Sequence, residues 1–151
     1  MATILLVEGN ARLAARIGRH LRERGHRATI VPNSEMAAAL VFTIKPDLIA
    51  LDIDSPVYCG LDFHELLQMN QRGRDMAVLY LSSSCTWVQR ENVARLGAEG
   101  LVSKSGDAAV IAERISEFVP IPEPSRGTPV RATRERPSLS TGGDTCSAVA
   151  V

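Results

Sequence analysis

The sequence predicts an α/β fold, a doubly wound five-stranded parallel sheet with helices on both faces. Two observations carry that reading. Short apolar runs alternate with longer helical patterns through residues 2–118, which is the signature of repeated βα units. One of those runs, Leu48-Ile49-Ala50-Leu51, is apolar at every position and stops on Asp52. An unbroken apolar strand is buried on both faces, as in parallel sheets covered by helices. Right-handed crossovers then place helices on the two sides.

Each element has a local reason. Thr3–Val7 is the first apolar run. Asn10 is a cap for a first helix on which Leu13, Ile17 and Leu21 recur every four residues, and Gly25 closes it. Ala28–Val31 is the second strand. Ser34 is read as the cap of a second helix carrying Ala37, Leu40, Val41 and Ile44, which Pro46 ends. Leu48–Asp52 is the third strand, followed by a helix from Leu61 to about Gln71. Ala77–Ser82 and Gly100–Val102 are the last two strands, with a helix over Thr86–Leu96 between them. Asp107 is placed to cap a final helix with Val110, Ile111, Ile115 and Phe118 on one face. The domain is therefore drawn at residues 1–118. Residues 119–151 carry Pro120, Pro122, Pro124, Pro129 and Pro137 among Ser, Thr, Gly and Arg without an apolar period, and read as a disordered tail.

Composition excludes several functions. Seventeen basic residues balance 17 acidic ones, so nothing suggests electrostatic capture of nucleic acid or of an anionic membrane. No apolar run approaches the roughly 20 residues that span a bilayer. Met1-Ala2-Thr3 leads straight into the first strand without a basic leader, which argues against secretion. Cys59, Cys85 and Cys146 are odd in number and lack C-x-x-C spacing; His20, His26 and His64 are equally scattered and read as surface helix residues. A cytoplasmic protein with reduced thiols is expected.

A doubly wound sheet gathers its strand C-termini along one edge, where ligands bind. The first strand delivers Glu8, Gly9 and Asn10 there, and the third delivers Asp52 and Asp54 with Ser55-Pro56 in the turn. The fourth ends in Ser82-Ser83-Ser84, and Ser103-Lys104-Ser105 follows the fifth. Carboxylates grouped with water suit a hard dication such as Mg²⁺. A lysine and a hydroxyl opposite them suit phosphoryl oxygens. In that company Asp52 is a candidate carboxylate nucleophile toward phosphorus.

Five segments, in this order and spacing, resemble the receiver domain of two-component response regulators. They are Ile4-Leu5-Leu6-Val7-Glu8, Pro46-Asp47-Leu48-Ile49-Ala50-Leu51-Asp52, Pro56 followed four residues on by Gly60-Leu61, Leu81-Ser82, and Gly97-Ala98-Glu99 leading to Lys104. The resemblance covers residues 2–118. It implies a flavodoxin-like fold of strand order 2-1-3-4-5, with Asp52 as phosphoacceptor, Ser82 as the phosphate-sensing hydroxyl and Lys104 as the phosphate's ion-pair partner. It implies Mg²⁺ held by Glu8, Asp52 and the Asp54 carbonyl. As partners it implies a histidine kinase or phosphotransfer protein and a downstream protein. A homodimer through the fourth helix, fifth strand and fifth helix, where Trp87 is a candidate anchor, belongs to the same expectation. The arginines of the first helix, Arg12, Arg16, Arg19, Arg22 and Arg24, offer either a solvated face or a docking face for the kinase.

The pattern is broken at three positions. Gly9 stands where the family carries a second acid, so weakened Mg²⁺ binding is expected, with the Asp54 side chain as a candidate substitute. Leu101 replaces an aromatic residue of the last strand. Ser105 replaces a proline, and its preceding bond is expected to be trans, since a non-proline cis bond costs about 2.5–4 kcal/mol. The reading is thus a stand-alone phosphoacceptor receiver. Its rivals are a pseudo-receiver that binds partners without phosphorylation and, more remotely, an aspartyl-phosphate phosphatase suggested by Asp52-Ile53-Asp54.

Overall fold

A computed structural model describes residues 1–54 and 60–120. The Ser55-Pro56 turn, Cys59, and the tail from residue 121 on, including Cys146, lie outside the described residues. The strands are β1 (Thr3–Val7), β2 (Arg27–Val31), β3 (Leu48–Asp52), β4 (Val78–Ser82) and β5 (Gly100–Ser103). The helices are α1 (Ala11–Glu23), α2 (Ser34–Ile44), α3 (Gly60–Met69), α4 (Trp87–Leu96) and α5 (Ala108–Glu117). All strand pairs are parallel and the sheet order is β2-β1-β3-β4-β5. The fold is the flavodoxin-like one that the segments implied.

The alternation along each strand explains why the runs are apolar throughout. Ile4 and Leu6 of β1, with Leu48 and Ala50 of β3, pack with Ile17 and Leu21 of α1 and with Ile111 and Ile115 of α5. Leu5, Val7, Ile49 and Leu51 point the other way and pack with Val41 of α2, Phe63 and Leu67 of α3 and Leu96 of α4. Successive side chains of a strand alternate faces, and here both faces are covered. The core on the α1 and α5 side reaches Val119, one residue past the expected boundary.

Three local expectations need correction. The cap of α2 is Asn33, whose side chain accepts from the Met36 amide at 2.8 Å; Ser34 is already helical. Asn10 does cap α1, accepting from Leu13 N–H at 3.1 Å. Val110 is 43% exposed, because the buried stripe of α5 is Ala108, Ile111, Ala112 and Ile115. That series steps by three and four residues and excludes position 110. His64 is buried, not a surface residue. It lies on α3 against Tyr80 of β4, with the two rings edge to face at 5.5 Å between centroids. His20 is on the half-buried side of α1, and His26 is off the helix, accepting weakly from the Ala2 amide at 3.4 Å.

Two glycines hold the architecture where a side chain has no place. Gly97 ends α4 in the left-handed conformation, φ 73°, and its N–H returns to Val93 O. Gly60 starts α3 so close to the sheet that a Cβ would stand 2.6 Å from the Asp52 carbonyl oxygen. α3 therefore begins directly against the end of β3, beside the acid that the sequence singles out.

Candidate functional site

Each side chain of the site stands at or just beyond the last rung of a strand. Asp52 closes β3 and Ser82 closes β4. Glu8 follows β1, its N–H still bonded to Val31 O at 3.1 Å. Lys104 follows β5, its N–H bonded to Ser82 O at 2.9 Å. The sheet hydrogen bonds thus run right up to the site and fix where these four side chains depart. A parallel sheet does the rest by putting all those ends on one edge.

The Lys104 ammonium is the centre of the cluster. It lies 3.2 Å from Glu8 Oε2, 3.1 Å from Asp52 Oδ1 and 3.4 Å from Asp54 Oδ2. Its side chain is 13% exposed and that of Glu8 only 2%. Burial of Lys104 favours the neutral amine, but the Asp52 hydrogen bond and the charge of Glu8 outweigh it and hold its pKa above the ordinary lysine value. Burial pushes the Glu8 carboxyl up, against the opposing pull of the Asn10 N–H, which donates to Oε1 at 3.0 Å. Three carboxylates around one ammonium leave the pocket formally in surplus of negative charge. A cation, or protonation of one carboxylate, relieves that surplus.

Asp54 faces the fourth strand. Its Oδ1 accepts from Ser82 Oγ at 2.6 Å, and its Oδ2 accepts from both Ser83 N–H and Ser83 Oγ at 2.7 Å. Its own N–H donates to Asp52 Oδ1 at 2.9 Å. Burial alone would raise the Asp54 pKa, yet the Ser82 and Ser83 hydrogen bonds more than offset it and hold the carboxyl below its usual value. Ser82 Oγ also lies 3.0 Å from Ser84 O. Its single proton goes to the carboxylate, because the charge-assisted bond is the shorter and stronger.

All five residues singled out in the sequence therefore meet: Glu8, Asp52, Asp54, Ser82 and Lys104. The Lys104–Ser105 bond is trans, as are all described peptide bonds. Leu101 is half-buried, packed on the α3 and α4 side, and it is the register partner of Tyr80. Sequence reasoning missed the use to which the Asp54 side chain is put, and it missed Ser83 as its partner. The signal was present as a hydroxyl run at a strand end opposite a spare acid.

A family model for the response regulator receiver domain matches residues 4–116. The chain belongs to that family. Receiver domains are signalling domains of two-component systems that work with histidine kinases or phosphotransfer proteins. Among solved structures, the chain is similar to the chemotaxis response regulator CheY4 of Vibrio cholerae, with 19% identity, a TM-score of 0.71 and coverage of 78% of this chain and 98% of that one. It is similar to the non-phosphorylated HemR receiver domain of Leptospira biflexa, with 22% identity, a TM-score of 0.72 and coverage of 82% and 98%. A third is the receiver domain of the sensor histidine kinase PA1611 from Pseudomonas aeruginosa, described with a magnesium ion coordinated in its active-site cleft; identity is 24%, the TM-score 0.67 and coverage 78% and 97%. At these identities the likeness is one of fold. A search of curated proteins returns no match.

The donor set of this receiver suits a hard dication in a limited way. Glu8 and Asp52 flank one point, since both lie within 3.2 Å of the same ammonium nitrogen, and both offer oxygen only. Mg²⁺ is usually held by one or two carboxylates and keeps several waters. Among the described residues no group of three His, Cys, Asp or Glu is arranged to hold a metal, and Gly9 supplies no third acid. Two carboxylates with waters is the site that remains.

Outside this edge, Trp87 is 70% exposed at the start of α4, which removes the half-buried packing role. Arg16 pairs with Asp107 at 3.2 Å and Arg19 with Glu23 at 3.7 Å, while Arg22 donates to Ala28 O at 2.9 Å. Part of the basic face of α1 is thus neutralised within the domain. Among the described residues no helix is long and apolar enough to cross a membrane.

Proposed function

We propose that this receiver accepts a phosphoryl group on Asp52 from a phosphohistidine of a histidine kinase or phosphotransfer protein. The observation that carries this reading is the shared ammonium: Lys104 lies 3.1 Å from Asp52 Oδ1 and 3.2 Å from Glu8 Oε2. A carboxylate oriented beside a cation is a nucleophile placed next to its own charge stabiliser. An Asp52 carboxylate oxygen attacks phosphorus, the P–N bond breaks, and its electron pair leaves with the imidazole, which takes up a proton. Lys104 neutralises charge on the transferred group, and Ser82 is within the same cluster to donate to one of its oxygens. Mg²⁺, held by Glu8, Asp52 and the Asp54 carbonyl and weakened by Gly9, would supply further charge neutralisation at the phosphoryl oxygens. The output is protein–protein contact through the α4, β5 and α5 face, where Trp87 is exposed, whether to a downstream protein or to a second copy. The cellular setting is the cytoplasm, and the domain acts as a signalling module with no catalytic turnover of its own.

The test is incubation with acetyl phosphate and Mg²⁺ followed by intact mass. An adduct of one phosphoryl group that is absent from Asp52→Asn supports the reading. A second reading, a pseudo-receiver that binds partners without phosphorylation, draws support from Gly9 and from the Asp54 carboxylate already bonded to Ser82. No adduct at any Mg²⁺ concentration favours it.

A further inference from the structure

Resting on the reading of Asp52 as phosphoryl acceptor, we infer that the Asp54 carboxylate is a tethered competitor for the groups that must receive the phosphoryl oxygens. A tetrahedral phosphoryl group on Asp52 needs donors: the Lys104 ammonium already stands 3.1 Å from the Asp52 carboxylate, and the end of the neighbouring strand β4 offers the Ser82 hydroxyl and the Ser83 N–H. Asp54 engages all three. Ser82 Oγ donates to it at 2.6 Å, Ser83 N–H at 2.7 Å, and Lys104 Nζ stands at 3.4 Å. The Ser83 hydroxyl adds a fourth contact at 2.7 Å.

Two carboxylate oxygens spread over these donors imitate two oxygens of a phosphoryl group. The imitation is anchored, because Asp54 is two residues from Asp52 and its own N–H donates to Asp52 Oδ1 at 2.9 Å. A competitor on the same chain acts at high effective concentration. An incoming phosphoryl group must therefore displace an anion, in addition to bonding to Asp52. Ser82 cannot report the phosphorylated state until Asp54 lets it go. Asp54 thus acts as a positioning residue that sets the threshold of the site. It is an acid of the same chain that holds Ser82 and Ser83 in the resting arrangement.

The full chain is tested with beryllium fluoride as the phosphoryl probe, at Mg²⁺ saturating for each variant, with trapping followed by fluorine NMR. The variants are Asp54→Ala, Asp54→Asn, Ser82→Ala and the Asp54→Ala/Ser82→Ala pair, each checked for a native circular dichroism spectrum. Asp54→Ala is expected to bind the probe about tenfold more tightly than wild type, the value of one hydrogen-bond set to a charged group. Asp54→Asn, which keeps an acceptor without the charge, falls between. Removing the Ser82 hydroxyl then costs little when Asp54 is present, because that hydroxyl is already held, and about fivefold or more when it is absent. Trapping in Asp54→Ala but not in wild type supports competition most strongly. Equal affinity in wild type and both Asp54 variants, or the same Ser82→Ala cost in both backgrounds, overturns competition while leaving Asp52 as acceptor. No trapping in any variant overturns both.

Discussion

The Lys104 ammonium stands 3.1 Å from the Asp52 carboxylate and is surrounded by two further acids, Glu8 and Asp54. One lysine thus balances three carboxylates contributed by two other strand ends. The relationship explains how so acidic an edge is stable at rest. It also leaves a surplus of negative charge that a dication would relieve.

Replacing Lys104 by methionine keeps the aliphatic stem and removes the charge. Three carboxylates are then left facing one another with little solvent. Stability at neutral pH is expected to drop by about 1–3 kcal/mol, the cost of partly buried groups deprived of a partner, read by chemical denaturation. Added Mg²⁺ should restore more stability to Lys104→Met than it adds to wild type. Equal Mg²⁺ effects on the two proteins would show that Lys104 is not the resting counter-ion.

Gly9 leaves space for a side chain. A Cβ there would have Pro32 O at 3.4 Å as its nearest neighbour, an ordinary contact. Gly9→Asp should therefore fold and add a carboxylate beside Glu8. Mg²⁺ affinity is expected to rise roughly tenfold, a modest share of the attraction between a dication and a nearby carboxylate at a protein surface. Isothermal titration with Mg²⁺ checks this, and an unchanged affinity would mean that the vacancy at position 9 is not what limits the metal.

The buried pair His64 and Tyr80 predicts a pH dependence of stability. Gln68 Nε2 donates to Leu96 O, so it presents the same NH₂ group to His64 Nε2 at 3.3 Å and leaves His64 Nδ1–H to donate to the Tyr80 oxygen. That tautomer is neutral, and protonation would set N–H against NH₂. Burial accordingly lowers the His64 pKa below its ordinary 6.5, with the nearby Glu65 charge opposing only in part. On acidification the unfolded chain takes up its proton first. The stabilisation is complete above about pH 6.5, declines as pH falls toward the depressed folded value, and then levels off. His64→Gln should flatten the stability curve over that window relative to wild type. Curves that run parallel would show that His64 charges in place. Tyr80→Phe, which strands the imidazole donor, should cost about 1–3 kcal/mol at pH 7.

The fold was legible because its signals are redundant. The apolar runs of β1, β3 and β4 are buried on both faces, and the spacing of Leu13, Ile17 and Leu21 leaves one geometry for α1. Convergence of Glu8, Asp52, Ser82 and Lys104 followed from parallel topology alone. Side-chain direction did not. Nothing in Asp52-Ile53-Asp54 says that the second acid turns to Ser82 and Ser83, because that depends on where a neighbouring strand ends in space. His64 was misread for the same reason. Its polar side chain suggests a surface, and its bonds to the Tyr80 hydroxyl and the Gln68 amide make its burial tolerable. Val110 shows the lesser error of taking an apolar residue as buried when it falls outside the three-and-four stripe.

The site of phosphoryl attachment is the most direct measurement. After treatment with acetyl phosphate and Mg²⁺, borohydride reduces an acyl phosphate to the alcohol and converts the modified aspartate to homoserine. Tandem mass spectrometry of the digested chain is expected to find homoserine at position 52, with none in untreated protein. Homoserine at position 54 or elsewhere, or none at all at saturating Mg²⁺, would contradict Asp52 as the acceptor.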